Sequence, residues 1–286
     1  MYNGYKIKIM IFAGRRKTME LLMPQLNSEY IDEILIARNT TNEADLKYLD
    51  TLKKNKKVKY IFLPKEKIGF AGWRYLWKYM MEEDTVYIKL DDDIVYLSDN
   101  FFENLLKFRF DHPEYVCCFP MVVNNSYCAT LHNSLLNKEH KDKSISQKMI
   151  EHFFNGKYAI AEHELFLANP TSKEWDVGEK EFGKEIIEIQ KPSEYSKINH
   201  FAISPRPQIC AICFFGKVMK ILKITEDLKK YNDEEFLGCY IFDKLKKAKH
   251  GLTSKCICAH YSFSPQKAEM DKTDILERYK KLIEKK

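Results

Sequence analysis

Hydrophobic and polar residues along the first 120 positions alternate between two periodicities. Residues 5–12, 33–37, 58–63, 85–90 and 115–121 are short aliphatic or β-branched runs of strand length. Between the first two, Met19, Leu22, Met23 and Leu26 recur at three- and four-residue spacing, which is one buried face of a helix over 17–26. Asn42 is placed to cap a second helix holding Ala44, Leu46, Leu49 and Leu52. Residues 69–81 read as a third helix, and Ser98 is placed to cap a fourth that runs to about Phe110. Strands separated by helices of this length predict an α/β fold, a mostly parallel central sheet flanked by helices.

Beyond residue 123 the regularity weakens. A polar stretch at 137–146 precedes a helix over 149–154, and residues 124–200 read as a partly helical insertion that shapes a substrate pocket. A strand at 209–215, helices at 217–230 and 234–247, and a strand at 255–261 follow. The chain ends in an amphipathic helix over 271–285, with Asp271 at its cap and Ile275, Leu276, Tyr279, Leu282 and Ile283 in one stripe. The expected organisation is one domain in two halves, 1–123 and 124–286.

Composition narrows the function. The chain has 286 residues, with 47 basic and 41 acidic side chains, a net charge of +6. Its lysines are scattered among acids with no continuous basic stripe, so nucleic acid is not expected as a partner. The small positive excess suits a phosphate-bearing substrate or peripheral contact with an anionic membrane. No apolar run approaches the eighteen residues of a membrane span, and the start lacks the apolar core of a signal peptide. Eight cysteines in apolar surroundings read as small buried hydrophobes, which points to a reducing compartment, the cytoplasm.

The sharpest chemical signal is Lys89-Leu90-Asp91-Asp92-Asp93-Ile94-Val95. Two unit charges 4 Å apart repel by about 4 kcal/mol at an effective dielectric of ~20, so three adjacent carboxylates at the end of an apolar strand need a compensating charge. A divalent cation supplies it, and a diphosphate needs the same cation for neutralisation. Asp91 and Asp93 can converge on one side while Asp92 points elsewhere. The carboxyl end of a parallel strand is also where open α/β sheets bind ligands.

On these residues the chain resembles glycosyltransferases of the GT-A fold, a Rossmann-like class that uses nucleotide-sugar donors and carries an Asp-x-Asp motif (family 2-like). The resemblance implies Asp91 and Asp93 as ligands of Mn²⁺ or Mg²⁺, with Asp91 and Asp92 also meeting the ribose or donor sugar. It implies Ala13-Gly14-Arg15 and Ala37-Arg38-Asn39-Thr40 as nucleotide-contacting loops, with Arg15, Asn39 and Thr40 in the donor site. Gly69-Phe70-Ala71-Gly72-Trp73-Arg74 corresponds to the segment over ribose and sugar, with Arg74 reaching a phosphate or the metal carboxylates. Asn232-Asp233-Glu234-Glu235-Phe236-Leu237-Gly238 corresponds to the catalytic acids, Glu234 as general base with Asp233 beside it, and His260 to a third metal ligand. Arg206 falls on the acceptor side, where it is expected to meet a charged acceptor. The implied activity is metal-dependent, inverting transfer of a sugar from a nucleoside diphosphate donor, a UDP-sugar first, to a hydroxyl of a glycan or lipid-linked acceptor. Two rivals remain at this level, a sugar-phosphate nucleotidyltransferase and a non-enzymatic basic binding module. The nucleotidyltransferase would want more glycine than the single Gly14 in Gly14-Arg15-Arg16-Lys17.

Overall fold

The structure is a computed structural model. It describes residues 1–69, 72–184, 187–190, 200–203 and 205–286, with backbone alone at 187–190 and 200–203. Phe70, Ala71, Ser204 and parts of the expected insertion lie outside the described residues.

Eleven strands occur among them: β1 (Lys6–Ala13), β2 (Glu33–Arg38), β3 (Val58–Phe62), β4 (Thr85–Asp91), β5 (Ile94–Leu97), β6 (Tyr115–Val123), β7 (Glu179–Phe182), β8 (Ile187–Gln190), β9 (His200–Ile203), β10 (Ala211–Phe215) and β11 (Lys249–His260). Eight form one path in the order β3-β2-β1-β4-β10-β6-β11-β5, β7 pairs with β11, and β8 pairs with β9 apart from the main sheet. Ile7, Ile9 and Ile11 of β1, Ile34 and Ile36 of β2, and Val86, Ile88 and Leu90 of β4 are fully buried. Near-continuous apolar strands of this kind have both faces covered. One face packs helix Arg16–Gln25 against β5 and the last helix, Ile275–Ile283; helix Phe101–Asp111 packs on β6 and β11.

The sheet is mixed, which corrects the expected mostly parallel arrangement. Parallel pairing joins β1 to β2, β1 to β4, β2 to β3 and β6 to β11. Strand β10 enters antiparallel between β4 and β6, and β5 and β7 run antiparallel to β11. A buried strand is apolar whichever way it runs, so hydrophobic pattern cannot report direction. Strands from 1–123 and 124–286 interleave in the main sheet, and only the small β8–β9 pair belongs to one half.

Local expectations met mixed outcomes. Asn42 caps its helix, its Oδ1 accepting the N–H groups of Ala44 at 2.9 Å and Asp45 at 3.1 Å. Ser98 does not cap; its Oγ accepts the Ile257 N–H at 3.0 Å and so ties the end of β5 to β11. Asp271 pairs with Lys267 at 2.9 Å, and the final helix starts only at Ile275. The helix expected over 69–81 shrinks to Trp73–Leu76 and a 3₁₀ turn at Trp77–Tyr79. The insertion carries helices Leu135–Glu139, Ile145–Phe154 and Gly156–Ala168. All eight cysteines are buried and free. No helix among the described residues is long and apolar enough to cross a membrane.

Candidate metal and donor site

The three aspartates at the end of β4 divide between two places, Asp92 on one and Asp91 with Asp93 on the other. Asp92 is buried and faces the turn after β1, where its Oδ2 accepts the Gly14 N–H at 2.6 Å and its Oδ1 accepts Arg15 Nε at 2.7 Å. Thr18 Oγ1 donates to the Asp92 carbonyl at 2.6 Å. A buried carboxylate without such donors would be costly. Burial still pushes this carboxyl up, to about 6, against the pull of Arg15. Asp92, the residue expected at ribose or sugar, thus ties the end of β4 to the turn after β1.

Asp91 and Asp93 converge with His260, the last residue of β11. Each offers one ligand atom, and these atoms all lie within 4.8 Å of one another. Lys89 lies two positions before Asp91 and so on the same strand face; its Nζ donates to Asp91 Oδ1 at 2.6 Å and to the Ile209 carbonyl at 2.8 Å. Asp93 Oδ2 accepts from Arg15 and stands 3.4 Å from His260 Nε2, while the buried Asp93 Oδ1 has no partner. His260 Nδ1 faces the Asn124 carbonyl at 3.2 Å, an oxygen to which it can only donate. In neutral imidazole Nε2 is then a bare lone pair aimed at a carboxylate oxygen. Two such atoms at this distance need a proton or a metal ion between them. Burial pushes the His260 imidazole down, yet the charge and hydrogen bond of Asp93, the charge of Asp91 and the Asn124 carbonyl together outweigh it, and the net shift is upward. Burial likewise pushes Asp93 up, but His260 and Arg15 hold it low, at about 2. Two carboxylates and one imidazole suit Mn²⁺, and the unpartnered Asp93 Oδ1 is a further oxygen toward a hard cation such as Mg²⁺.

The second acidic run opens the turn Asp233–Glu235. Asn232 Oδ1 accepts the Glu235 N–H at 2.7 Å, and Glu235 Oε2 accepts the Asn232 N–H at 3.2 Å, a reciprocal cap. Both carboxylate oxygens of Glu234 are engaged: Oε1 accepts the Ile209 N–H at 2.7 Å and Oε2 accepts Arg206 Nη2 at 2.7 Å. Arg206, expected to meet a charged acceptor, is buried with its guanidinium on Glu234. A π-helical turn, Phe236–Tyr240, follows, and a Cβ on Gly238 would come within 2.0 Å of Arg206 Nη2, so only glycine leaves room for the guanidinium. Asp233 differs from its neighbours. Its Oδ1 accepts the Glu234 N–H at 3.0 Å. Burial pushes its carboxyl up to about 7, with Lys89 opposing and the charges of Glu234 and Asp91 adding to the rise. Ile209 bridges the two runs, its carbonyl on Lys89 and its N–H on Glu234.

The remaining expected residues line the β1–β3 side. Asn39 Oδ1 accepts the Gly69 N–H at 2.5 Å, and Thr40 Oγ1 accepts the Asn42 N–H at 3.0 Å. An apolar cleft of about 560 Å³ lies beside them, between Arg38, Thr40, Leu46, Phe62, Leu63 and Ile68. Phe62 is 68% exposed there, with the Arg38 guanidinium 5.6 Å from its ring centroid. Arg74 is exposed, lies over the Trp73 ring at 5.3 Å, and makes no ion pair with the aspartates. Sequence reasoning passed over Lys89 and Asn124. The i, i+2 spacing of Lys89 and Asp91 on one strand face was a usable signal for the first; nothing local marked the second.

No protein-family model matches the chain, and no curated protein matches it. Among solved structures, GalNAc-T7 with UDP, GalNAc and Mn²⁺ matches with a TM-score of 0.53 at 15% identity, over 99% of this chain and 48% of that one. The chain thus spans about half the length of that protein. CMP:2-keto-3-deoxy-manno-octonic acid synthetase complexed with CTP matches at 0.46 and 13% identity, over 98% of this chain and 99% of that one. A 4-diphosphocytidyl-2C-methyl-D-erythritol synthase from Anaerococcus prevotii matches at 0.43 and 12%, over 98% and 97%. The first likeness bears on the fold alone, and the other two scores are too low to bear on anything further.

Proposed function

We propose that this chain is a metal-dependent glycosyltransferase that moves a sugar from a nucleoside diphosphate donor, a UDP-sugar first, to a hydroxyl of a glycan or lipid-linked acceptor with inversion. The convergence of Asp91, Asp93 and His260 at the carboxyl ends of β4 and β11 carries this reading. These residues would hold Mn²⁺ or Mg²⁺, which when bound neutralises the diphosphate and its developing charge. In this reading residues 1–123 contribute the donor side and 124–286 the acceptor side.

Within that reading the chain's own groups divide the work. The cleft beside Thr40 offers an apolar wall and the Phe62 ring for a flat nucleobase, with Asn39 adjacent in sequence and bonded to the Gly69 N–H. Arg15, half exposed, can turn from the aspartates to a phosphate; Arg74, exposed nearby in sequence to Gly72, is a second phosphate candidate. Asp233 takes the proton of the attacking hydroxyl. A carboxyl raised to about 7 is poised for that task at neutral pH, whereas Glu234 is committed to Arg206 and serves to hold the turn.

The test is release of nucleoside diphosphate from a panel of UDP-, GDP- and TDP-sugars in the presence of glycan and lipid-linked acceptors, with Mn²⁺ and with EDTA. Release that needs both acceptor and metal supports the reading. Pyrophosphate release from a nucleoside triphosphate and a sugar phosphate, with no sugar transfer, would replace it with nucleotidyl transfer.

A further inference from the structure

Asn124, the residue after β6, is fully buried and adopts φ of +57°, a region that non-glycine residues rarely occupy and that asparagine tolerates best. Nothing in a solvent-facing turn explains it. The conformation is held from the side chain: Asn124 Nδ2 donates to the Tyr261 carbonyl at 3.0 Å and to Gln266 Oε1 at 3.1 Å. Gln266 is itself pinned, its Nε2 donating to the His152 carbonyl at 2.8 Å and its Oε1 accepting the Phe263 N–H at 3.0 Å. The consequence is at the backbone, where the Asn124 carbonyl meets His260 Nδ1. The same turn reaches the other side of the ligand set. The Ser126 N–H donates to Gln208 Oε1 at 3.1 Å, and the Cys210 carbonyl two residues on accepts the Asp91 N–H at 2.8 Å.

We propose that Asn124 is a positioning residue of the metal site, its left-handed backbone aiming a carbonyl at His260 Nδ1 so that Nε2 is the lone pair presented beside Asp93. This rests on the metal-site reading above. Without that carbonyl the imidazole is free to take the other tautomer, with an N–H pointing into the site, and to rotate about its side-chain bonds. The partner on the far nitrogen of a ligating histidine fixes ring and tautomer, and losing it typically costs about 10–100-fold in metal affinity.

The test is a double-mutant cycle read by Mn²⁺ binding, following free Mn²⁺ by electron paramagnetic resonance. Asn124→Gly tolerates the positive φ but drops the side-chain anchors; Asn124→Ala also penalises the backbone. The expected affinity losses run Ala above Gly, within about 10–100-fold, with the metal-free melting temperature of the glycine variant confirming a folded protein. In a His260→Ala background neither substitution changes Mn²⁺ affinity further. Unchanged affinity in Asn124→Ala, or an equal loss with and without His260, would overturn the proposal. If His260→Ala alone leaves Mn²⁺ affinity untouched, the metal-site reading itself fails, and Asn124 with it.

Discussion

Two runs of three acids, 91–93 and 233–235, look alike in sequence and are deployed differently. Each spends one acid on a backbone N–H: Asp92 on Gly14, 78 residues away, and Glu235 on Asn232, three residues away. Each meets an arginine, Arg15 on both Asp92 and Asp93 and Arg206 on Glu234. The difference is in those arginines. The Arg15 side chain is 51% exposed, while that of Arg206 is 6% exposed and roofed over Gly238. The half-exposed Arg15 guanidinium can swing to another anion when a bound cation takes its place beside the buried Asp92 and Asp93; Arg206, itself buried, has no such route, and its departure strands charge in the interior. In the proposed reading the first run is an exchangeable site and the second a scaffold that leaves Asp233 as the acid committed to neither the arginine nor the Asn232 cap. What surrounds the counter-ion, not the run of acids, decides which carboxylates are available.

The comparison breaks most visibly at Asp233 and Glu234. Asp233→Asn is expected to lower turnover by about 10²–10⁴-fold with Mn²⁺ and donor affinity nearly unchanged. Glu234→Gln strips the charge partner from Arg206, and its main effect is a loss of about 1–3 kcal/mol in stability, read as a lower melting temperature. A Glu234→Gln enzyme that melts normally but turns over more slowly than Asp233→Asn would reverse the two assignments.

Arg15→Gln sharpens the contrast at the first run. Removing a cation that competes for Asp93 should tighten Mn²⁺ binding several-fold in the absence of nucleotide, the range of a modest charge–charge term near a surface. The same change should weaken nucleoside diphosphate binding by about tenfold, the scale of one lost charge-assisted hydrogen bond. Calorimetry on both ligands reads the crossed signs. Parallel losses of both would mean that Arg15 only builds the site.

The smallest effect concerns the floor of the second run. His250 is buried beside the π-helical turn; its Nε2 donates to the Leu237 carbonyl at 2.6 Å and its Nδ1 accepts the Cys117 N–H at 3.2 Å. Burial, with Arg206 adding, pushes its imidazole down to about 3 from 6.5. The folded state keeps it neutral while the unfolded chain protonates it below 6.5, so its contribution to stability is present above 6.5 and is lost as pH falls toward 3. Melting temperatures between pH 7 and 4.5 should fall more steeply for the wild type than for His250→Asn. Parallel profiles would show that His250 is not held neutral.

Much of the first half was legible because its chemistry follows strand ends. Asp91 and Asp93 stood out as charge concentrated after an apolar run, and β1 to β4 followed from period and length alone. His260 was legible only through family resemblance, since no nearby residue in sequence shares its site. Strand direction was not legible, because β10 is as apolar antiparallel as it would be parallel. Strand β5 was hidden behind the aspartates, four residues too few to register as a period. The roles within 233–235 depended on Arg206, nearly thirty residues earlier, and on a glycine whose purpose is to make room for it. Asn124 was invisible because a left-handed asparagine has no sequence signature of its own.

The central claim is that Asp91, Asp93 and His260 form a metal-dependent nucleotide site, and its most direct test is calorimetric titration of UDP into the wild type and Asp93→Asn, each with Mn²⁺ and with EDTA. The account predicts binding by the wild type that Mn²⁺ strengthens by at least about tenfold, 1.4 kcal/mol, and no Mn²⁺ dependence in Asp93→Asn. Equal UDP affinity with Mn²⁺ and with EDTA in the wild type would contradict it.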